Sequence, residues 1–136
     1  MDRLFTIGHL SEVSHISIDT IRYYEKLGLL APATRKSSGY RLYSEDTVQR
    51  LRFIKNAKSL GFTLKEIRGL LRLKYDPNDT ACHEVRKKVE EKLNEINEKI
   101  KILQGMKMAL GEMVISCKHN KKTDECPVLK SLDGLK

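Results

Sequence analysis

The longest regular pattern of apolar and polar positions runs from about Asp79 to Val114. Apolar residues fall at Val85, Val89, Leu93, Ile96, Ile100, Leu103, Leu110 and Val114. From Val89 the steps are 4, 3, 4 and 3, then 7 and 4, the long step being a missed beat at Lys107. That is a heptad seam on one amphipathic helix, with polar side chains over most of its remaining surface. No proline interrupts it, and Gly105 and Gly111 are its only weak helix formers. A lone helix cannot bury such a seam. The simplest partner is a second copy of the same chain.

Shorter patterns fill the N-terminal half. Thr6 is an N-cap for a first helix carrying Ile7, Leu10 and Val13, and Ser14-His15 reads as a tight turn. Ser17 caps a second helix with Asp19 in its first turn, Ile18, Ile21, Tyr24 and Leu27 at core spacing, and Gly28 as its stop. Two short helices joined by a brief turn have the dimensions of a helix-turn-helix. An extended segment at 30–35, a turn at 36–39 and a second extended segment at 40–43 then predict a two-stranded wing. Ser44 caps a third helix with Glu45 and Asp46 in its first turn. Its apolar stripe is Val48, Leu51, Ile54, Ala57 and Leu60, with Phe53 beside it, and Gly61 ends it. Thr63 to Glu66 is a capping box that opens a fourth helix, with Ile67, Leu70 and Leu71 inside. Asp76-Pro77-Asn78-Asp79 joins this helix to the long one. Beyond the long helix come a polar loop from Lys118 to Glu125 and a short turn of helix from Pro127. The fold expected is mainly α. Residues 1–75 form a winged helix-turn-helix domain, 79–115 a dimerisation helix, and 116–136 a metal-binding loop with a short terminal helix.

Charge changes the picture by naming a partner. The 136 residues carry a net charge of +8, with a pI near 9.4. Residues 1–78 hold 14 Lys and Arg against 8 Asp and Glu; residues 79–136 hold 12 against 10. The basic half is the one to meet a polyanion, and the long helix is not. On the second helix, Ser17, Asp19, Thr20, Arg22 and Tyr23 line the start and exposed side, with Arg22 and Tyr23 as the foremost candidates for phosphate or base-edge contacts. Tyr24 reads as a core aromatic. Tyr40, Arg41 and Tyr43 on the wing are placed to reach phosphates. Lys36, Lys55 and Lys58 read as solvated cations. The start of the chain does not read as a signal peptide, and no apolar run approaches the roughly 20 residues of a membrane span. The expected compartment is the cytoplasm, where thiols stay reduced.

The three cysteines bracket the long helix. Cys82 and Cys117 are 35 residues apart, five heptads, and Cys126 follows nine residues later. At 1.5 Å per residue the first two lie roughly 50 Å apart within one chain. If two helices pair antiparallel about Lys99 and Ile100, residue 82 of one chain falls beside residue 117 of the other. Each end of the pair then gathers three thiols, Cys117 and Cys126 from one subunit and Cys82 from its mate, a shared site for a soft metal ion. The alternative is a dimer with incidental buried cysteines, since a free cysteine often serves as a small hydrophobe. His119 would complete a tetrahedral Cys3His set, although a histidine in a lysine-rich loop is ordinarily solvated. His83 lies about a quarter-turn from Cys82 and reads as a bystander. His9 and His15 read as packing or phosphate contacts.

Three blocks carry a family resemblance: Thr20-Ile21-Arg22-Tyr23-Tyr24-Glu25, Gly39-Tyr40-Arg41-Leu42-Tyr43, and Leu60-Gly61-Phe62-Thr63-Leu64-Lys65-Glu66-Ile67. In order and spacing they resemble the signature blocks of the MerR family of bacterial transcription regulators, and the resemblance extends over essentially the whole chain. It implies a winged reader on an antiparallel coiled-coil homodimer. It also implies an effector-driven bend and untwisting of promoter DNA that lets RNA polymerase engage both promoter elements. The apo dimer would hold the promoter inactive. Cysteines matching Cys82, Cys117 and Cys126 are similar to those of members that sense mercury, lead, cadmium or zinc. A thiolate at 82 implies a divalent ion, because sensors of monovalent ions typically have serine there. Glu125-Cys126-Pro127-Val128-Leu129 most resembles the mercury-sensing branch, so Hg(II) is the favoured effector. Zn(II), Cd(II) and Pb(II) are the alternatives. The zinc sensors usually have two adjacent cysteines where Ile115-Ser116-Cys117 supplies one.

The expected function is a metal-responsive transcriptional regulator. A constitutive DNA-binding protein with structural cysteines is the alternative from another class, and a thiol redox sensor is a further one. An enzyme is not expected: no open metal site stands beside a general base, and no nucleophile has a histidine partner.

Overall fold

The computed structural model describes residues 4–31, 34–35, 41–76, 78–116 and 126–134, and the side chains of 34 and 35 are not among the described ones. Two compact units divide the chain, residues 1–87 and 88–136.

The first unit is built by short helices that begin and end where side chains and glycines make them. Strand β1 (Leu4–Phe5) leads into α1 (Ile7–Ser14), where the Thr6 hydroxyl accepts the His9 N–H. His15 turns the chain in the left-handed region at φ 58°. Helix α2 (Ile18–Lys26) starts at Ser17, whose Oγ accepts the Thr20 N–H at 3.2 Å. It ends in a Schellman turn. Gly28, at φ 80°, donates to the Glu25 carbonyl, and Leu29 donates to that of Tyr24. Helix α3 (Glu45–Ser59) ends the same way: Gly61, at φ 95°, donates to Lys58, and Phe62 to Ala57. Helix α4 (Leu64–Tyr75) opens on the full capping box of Thr63 and Glu66. A Cβ at Gly28 would stand in open space, so Gly28→Ala tests the backbone alone. It is expected to cost about 1–2 kcal/mol, read from urea unfolding midpoints at constant slope.

Strand β2 (Thr34–Arg35) pairs antiparallel with β3 (Arg41–Ser44), Thr34 opposite Leu42 and Arg35 opposite Arg41. The wing's strands are therefore present, while its tip at 36–40 lies outside the described residues. The periodicity did not reveal β1, which pairs with the other edge of β3 and makes it the central strand of three. A two-residue strand carries no readable alternation. The core gathers Leu10, Ile21, Leu29, Tyr43, Leu51, Ile54 and Ile67, with Tyr24, Val48, Ala57, Leu70 and Leu71 around them.

Four expectations are corrected in this unit. Leu60 does not continue the α3 stripe: it is 63 % exposed, because it sits at the helix C-cap where the chain already turns toward Gly61. Ile18 is exposed in the first turn of α2, ahead of the buried Ile21. Ser44 occupies the N-cap position of α3, but its hydroxyl makes no cap bond; its backbone belongs to β3. The long helix begins at Ala81, two residues later than Asp79, because Asn78 Oδ1 accepts both the N–H and the hydroxyl of Thr80 and holds the entry turn. Pro77 is outside the described residues.

Helix α5 (Ala81–Ser116) carries the seam, and Val85 packs on the core of the first unit. In the second unit the seam residues Val89, Leu93, Ile96, Ile100, Leu103, Leu110 and Val114 all stand in solvent, Val114 at 70 % exposure. The polar surface expected around them is interrupted. Ile102, Met106, Ala109 and Met113 make a second apolar stripe at helical spacing. Helix α6 (Pro127–Asp133) meets the end of that stripe. Pro127 and Ser131 share a cavity of about 280 Å³ with Ala109, Glu112, Met113 and Ser116.

Candidate nucleic-acid interface and metal centre

The sequence of α2 sorts its side chains by face. Ile21 and Tyr24 enter the core, which turns Asp19, Arg22 and Tyr23 outward, Tyr23 at 51 % exposure. Ser17 is exposed, and its hydroxyl also donates to Thr20 Oγ1 at 2.8 Å, so these two residues fix the helix start. Arg22 has no hydrogen-bond or ion-pair partner among the described residues. Its guanidinium is available to an external oxyanion, and it stands on a helix whose ends are both held.

The wing base departs from expectation. Tyr43 is 1 % exposed, and its hydroxyl donates to Glu25 Oε2 at 2.7 Å. It is a core residue and not a phosphate contact. The reason is that β3 is the central strand, with Leu42 and Tyr43 both buried, so the in-and-out alternation fails. Arg41 remains exposed and reaches the same Glu25 oxygen at 3.4 Å. Tyr40 lies outside the described residues.

Glu25 thus fastens the recognition helix to the wing through two residues of one strand. Burial raises the Tyr43 phenol above its ordinary value of 10.0, the Glu25 hydrogen bond and charge add to this, and Arg41 opposes them. The folded state therefore holds this proton more tightly than the unfolded chain does. The resulting stability is full below about pH 10 and is lost as pH rises through the higher folded value. Tyr43→Phe is expected to cost about 1 kcal/mol at neutral pH and to lose less stability than the parent chain above about pH 10. Denaturant midpoints measured across the alkaline range check both parts.

The sequence reading missed two further supports of α2. Arg50 Nη1 donates to the Leu29 carbonyl at 3.1 Å, and Arg68 Nη2 donates to that of Leu27. They close the carbonyl end of the recognition helix from α3 and α4. No periodicity signals contacts that span 21 and 41 residues. His9 packs its ring on Phe5 at 5.0 Å, which assigns it to packing.

Cys82 is the second residue of α5, with an exposed side chain, and His83 follows it, also exposed. Cys126 stands at the N-cap of α6, partly exposed and directly before Pro127. Cys82 belongs to the first unit and Cys126 to the second. Cys117 and His119 lie outside the described residues. Among the described residues no three His, Cys, Asp or Glu side chains converge on one point. The donor chemistry still suits a soft ion: Cys82 is exposed, Cys126 is partly exposed, and neither belongs to the buried core. No helix among the described residues is long and apolar enough to cross a membrane.

A capped recognition helix with a free arginine on its outer face, fastened to a small antiparallel wing, defines a winged helix-turn-helix DNA-binding protein. Comparison with known families agrees. The family described as "MerR HTH family regulatory protein" matches residues 5–74, and "MerR, DNA binding" matches residues 48–113. The chain belongs to the MerR family, whose members are non-enzymatic DNA-binding transcription regulators. It is 37 % identical over 131 residues to the HTH-type transcriptional regulator ZntR of Escherichia coli K12, covering 96 % of this chain and 93 % of that one. It is 39 % identical over 128 residues to the mercuric resistance operon regulatory protein of Bacillus cereus, covering 94 % and 96 %. Among solved structures it is similar to the regulator PbrR691 of Ralstonia metallidurans CH34 in complex with lead(II). That match has a TM-score of 0.83 and 34 % identity, and covers 94 % of this chain and 98 % of that one.

Proposed function

We propose that the chain is a metal-responsive regulator that binds promoter DNA as a homodimer and activates transcription when a soft divalent ion, Hg(II) by preference, occupies its cysteines. The observation that carries this reading is a 36-residue helix whose apolar seam stands in solvent, with Cys82 in its first turn and Cys117 the next residue after it in the sequence. Relatives described as a mercuric resistance operon regulator and as a lead(II) complex, each matching nearly the whole chain, support a metal effector. Zn(II), Cd(II) and Pb(II) are the alternatives. The seam buries itself against the same seam of a second copy running antiparallel. Cys117 and Cys126 of one subunit and Cys82 of its mate then hold the ion, and His119 becomes a ligand only if the ion is four-coordinate.

On the DNA side, Ser17, Asp19, Thr20, Arg22 and Tyr23 face the major groove, with Tyr40 and Arg41 on the wing against phosphate. A divalent ion held by these three thiolates would offset two of their three charges, and its ligands would join the 117–126 segment of one subunit to the start of the partner's α5. This start is joined to α4 by the short segment 76–80, so closing the site re-aims the recognition helices and deforms the promoter for RNA polymerase. The coupling comes from metal contacts that differ between two states of the dimer.

The test is a titration of the reduced protein with mercury, lead, cadmium and zinc against a competing thiol, followed by thiolate-to-metal charge-transfer absorption. Tight mercury binding with a three-coordinate signature, zinc being outcompeted, is the expected result. Tight four-coordinate zinc or cadmium binding would reassign the effector and make His119 a ligand. No binding of any of them would leave a DNA-binding dimer with inert cysteines.

A further inference from the structure

Where the carbonyl end of α2 meets α4 there is a groove that contains none of the residues assigned above to DNA or metal contacts. Its volume is about 310 Å³, and its lining includes Leu29, Arg50, Arg68, Arg72, Tyr75 and Asp76. The lining thus holds three arginines and one carboxylate. Two of the three are held in place. Arg50 lies over the Tyr75 ring at 4.0 Å from its centroid, gives Nη1 to the Leu29 carbonyl, and holds Nε at 3.7 Å from Asp46. That Nε is buried and has no hydrogen-bond partner among the described residues. Arg68 is anchored on the Leu27 carbonyl. Each guanidinium has five N–H donors, so anchoring leaves most of them unused. Arg72 follows Arg68 by one helical turn on the same face. It is exposed and has no hydrogen-bond or ion-pair partner among the described residues. Like charges at this spacing destabilise a helix unless a counter-charge sits between them.

We propose that this groove is an oxyanion site of the phosphate class, closed by the guanidinium forks of Arg50, Arg68 and Arg72. Planar forks held at fixed angles match the edges of a phosphate group, and Arg50 and Arg68 are positioned before any anion arrives. Because Arg50 comes from α3 and Arg68 and Arg72 from α4, an anion bridging them fastens both helices around the end of the recognition helix. A DNA backbone phosphate and a free phosphate share this chemistry. The site uses no cysteine and no residue of the outward face of α2, so it stands or falls apart from the metal reading.

The test uses the full-length reduced protein, with the arginine Nε–Hε signals followed by NMR. Inorganic phosphate is added at constant ionic strength, with chloride as the control. Saturable shifts at the three arginines, with binding at least tenfold weaker in Arg72→Gln, are expected. Arg72 is exposed, so this variant keeps the fold, which the same spectra verify. A second arm measures the salt dependence of affinity for a duplex of random sequence. If DNA supplies the phosphate, Arg72→Gln reduces the slope of log K against log salt by about one. If free phosphate is the ligand, the slope is unchanged and the phosphate titration alone weakens. Absence of saturable phosphate binding together with an unchanged slope overturns the proposal. So does saturable binding that Arg72→Gln leaves intact, provided the slope is also unchanged.

Discussion

Cys82→Ser is expected to leave a dimer that still binds promoter DNA and no longer responds to metal. A serine hydroxyl stays protonated at neutral pH and is a hard, neutral donor where a soft divalent ion requires a thiolate. Removing a direct ligand should weaken mercury binding by more than the roughly 10–100-fold that follows loss of a residue merely supporting a ligand. Cys82 is exposed in its own chain and lies outside the buried core, so the change leaves that core intact. Competition titration reads the metal affinity, sedimentation the dimer, and transcription from a reporter promoter the response. Collapse of the dimer in this variant would instead favour cysteines with a structural role. Activation of the parent chain by an oxidant without metal, reversed by a reductant, would favour a redox sensor.

Ile54→Ala is expected to be the most damaging of the stability changes, and Leu60→Ala almost silent, although both lie on one apolar stripe of α3 in the sequence. Ile54 is fully buried at the centre of the first unit. Truncating it removes transfer energy and leaves a cavity, about 2–5 kcal/mol. That corresponds to a drop of about 8 °C or more in the melting temperature of a domain this size. Leu60 is mostly in solvent, and its truncation should fall within about 0.5 kcal/mol. Thermal unfolding of the two variants side by side checks the contrast. An equal loss for Leu60→Ala would mean that its side chain is covered in the working protein, by DNA or by a second chain.

Much of this architecture was legible because it rests on local chemistry. Thr6, Ser17 and Thr63 cap the helices they were expected to cap, since an N-cap needs only one side-chain oxygen and the next turn of backbone. Gly28 and Gly61 end α2 and α3 because a Schellman turn requires positive φ. The heptads of α5 identify a long helix with an unburied seam, and three ordered blocks identify the family. The candidate site was legible in its donors and less so in its geometry. Arg22 and Tyr23 face outward as expected. Tyr43, two residues beyond Arg41 on the same strand, does not.

The sequence by itself determined which segments are helical, where the charge lies, and which atoms are available to metal and DNA. These are properties of neighbouring residues and of side-chain chemistry. Tertiary structure alone decided that β3 is a central strand, which sends Tyr43 inward to Glu25. It also decided that Arg50 and Arg68 close the recognition helix from two other helices. Each of these depends on which segments come together across 18 to 41 residues of chain. Periodicity reports the face a residue occupies on its own element, not what the fold later lays against that face.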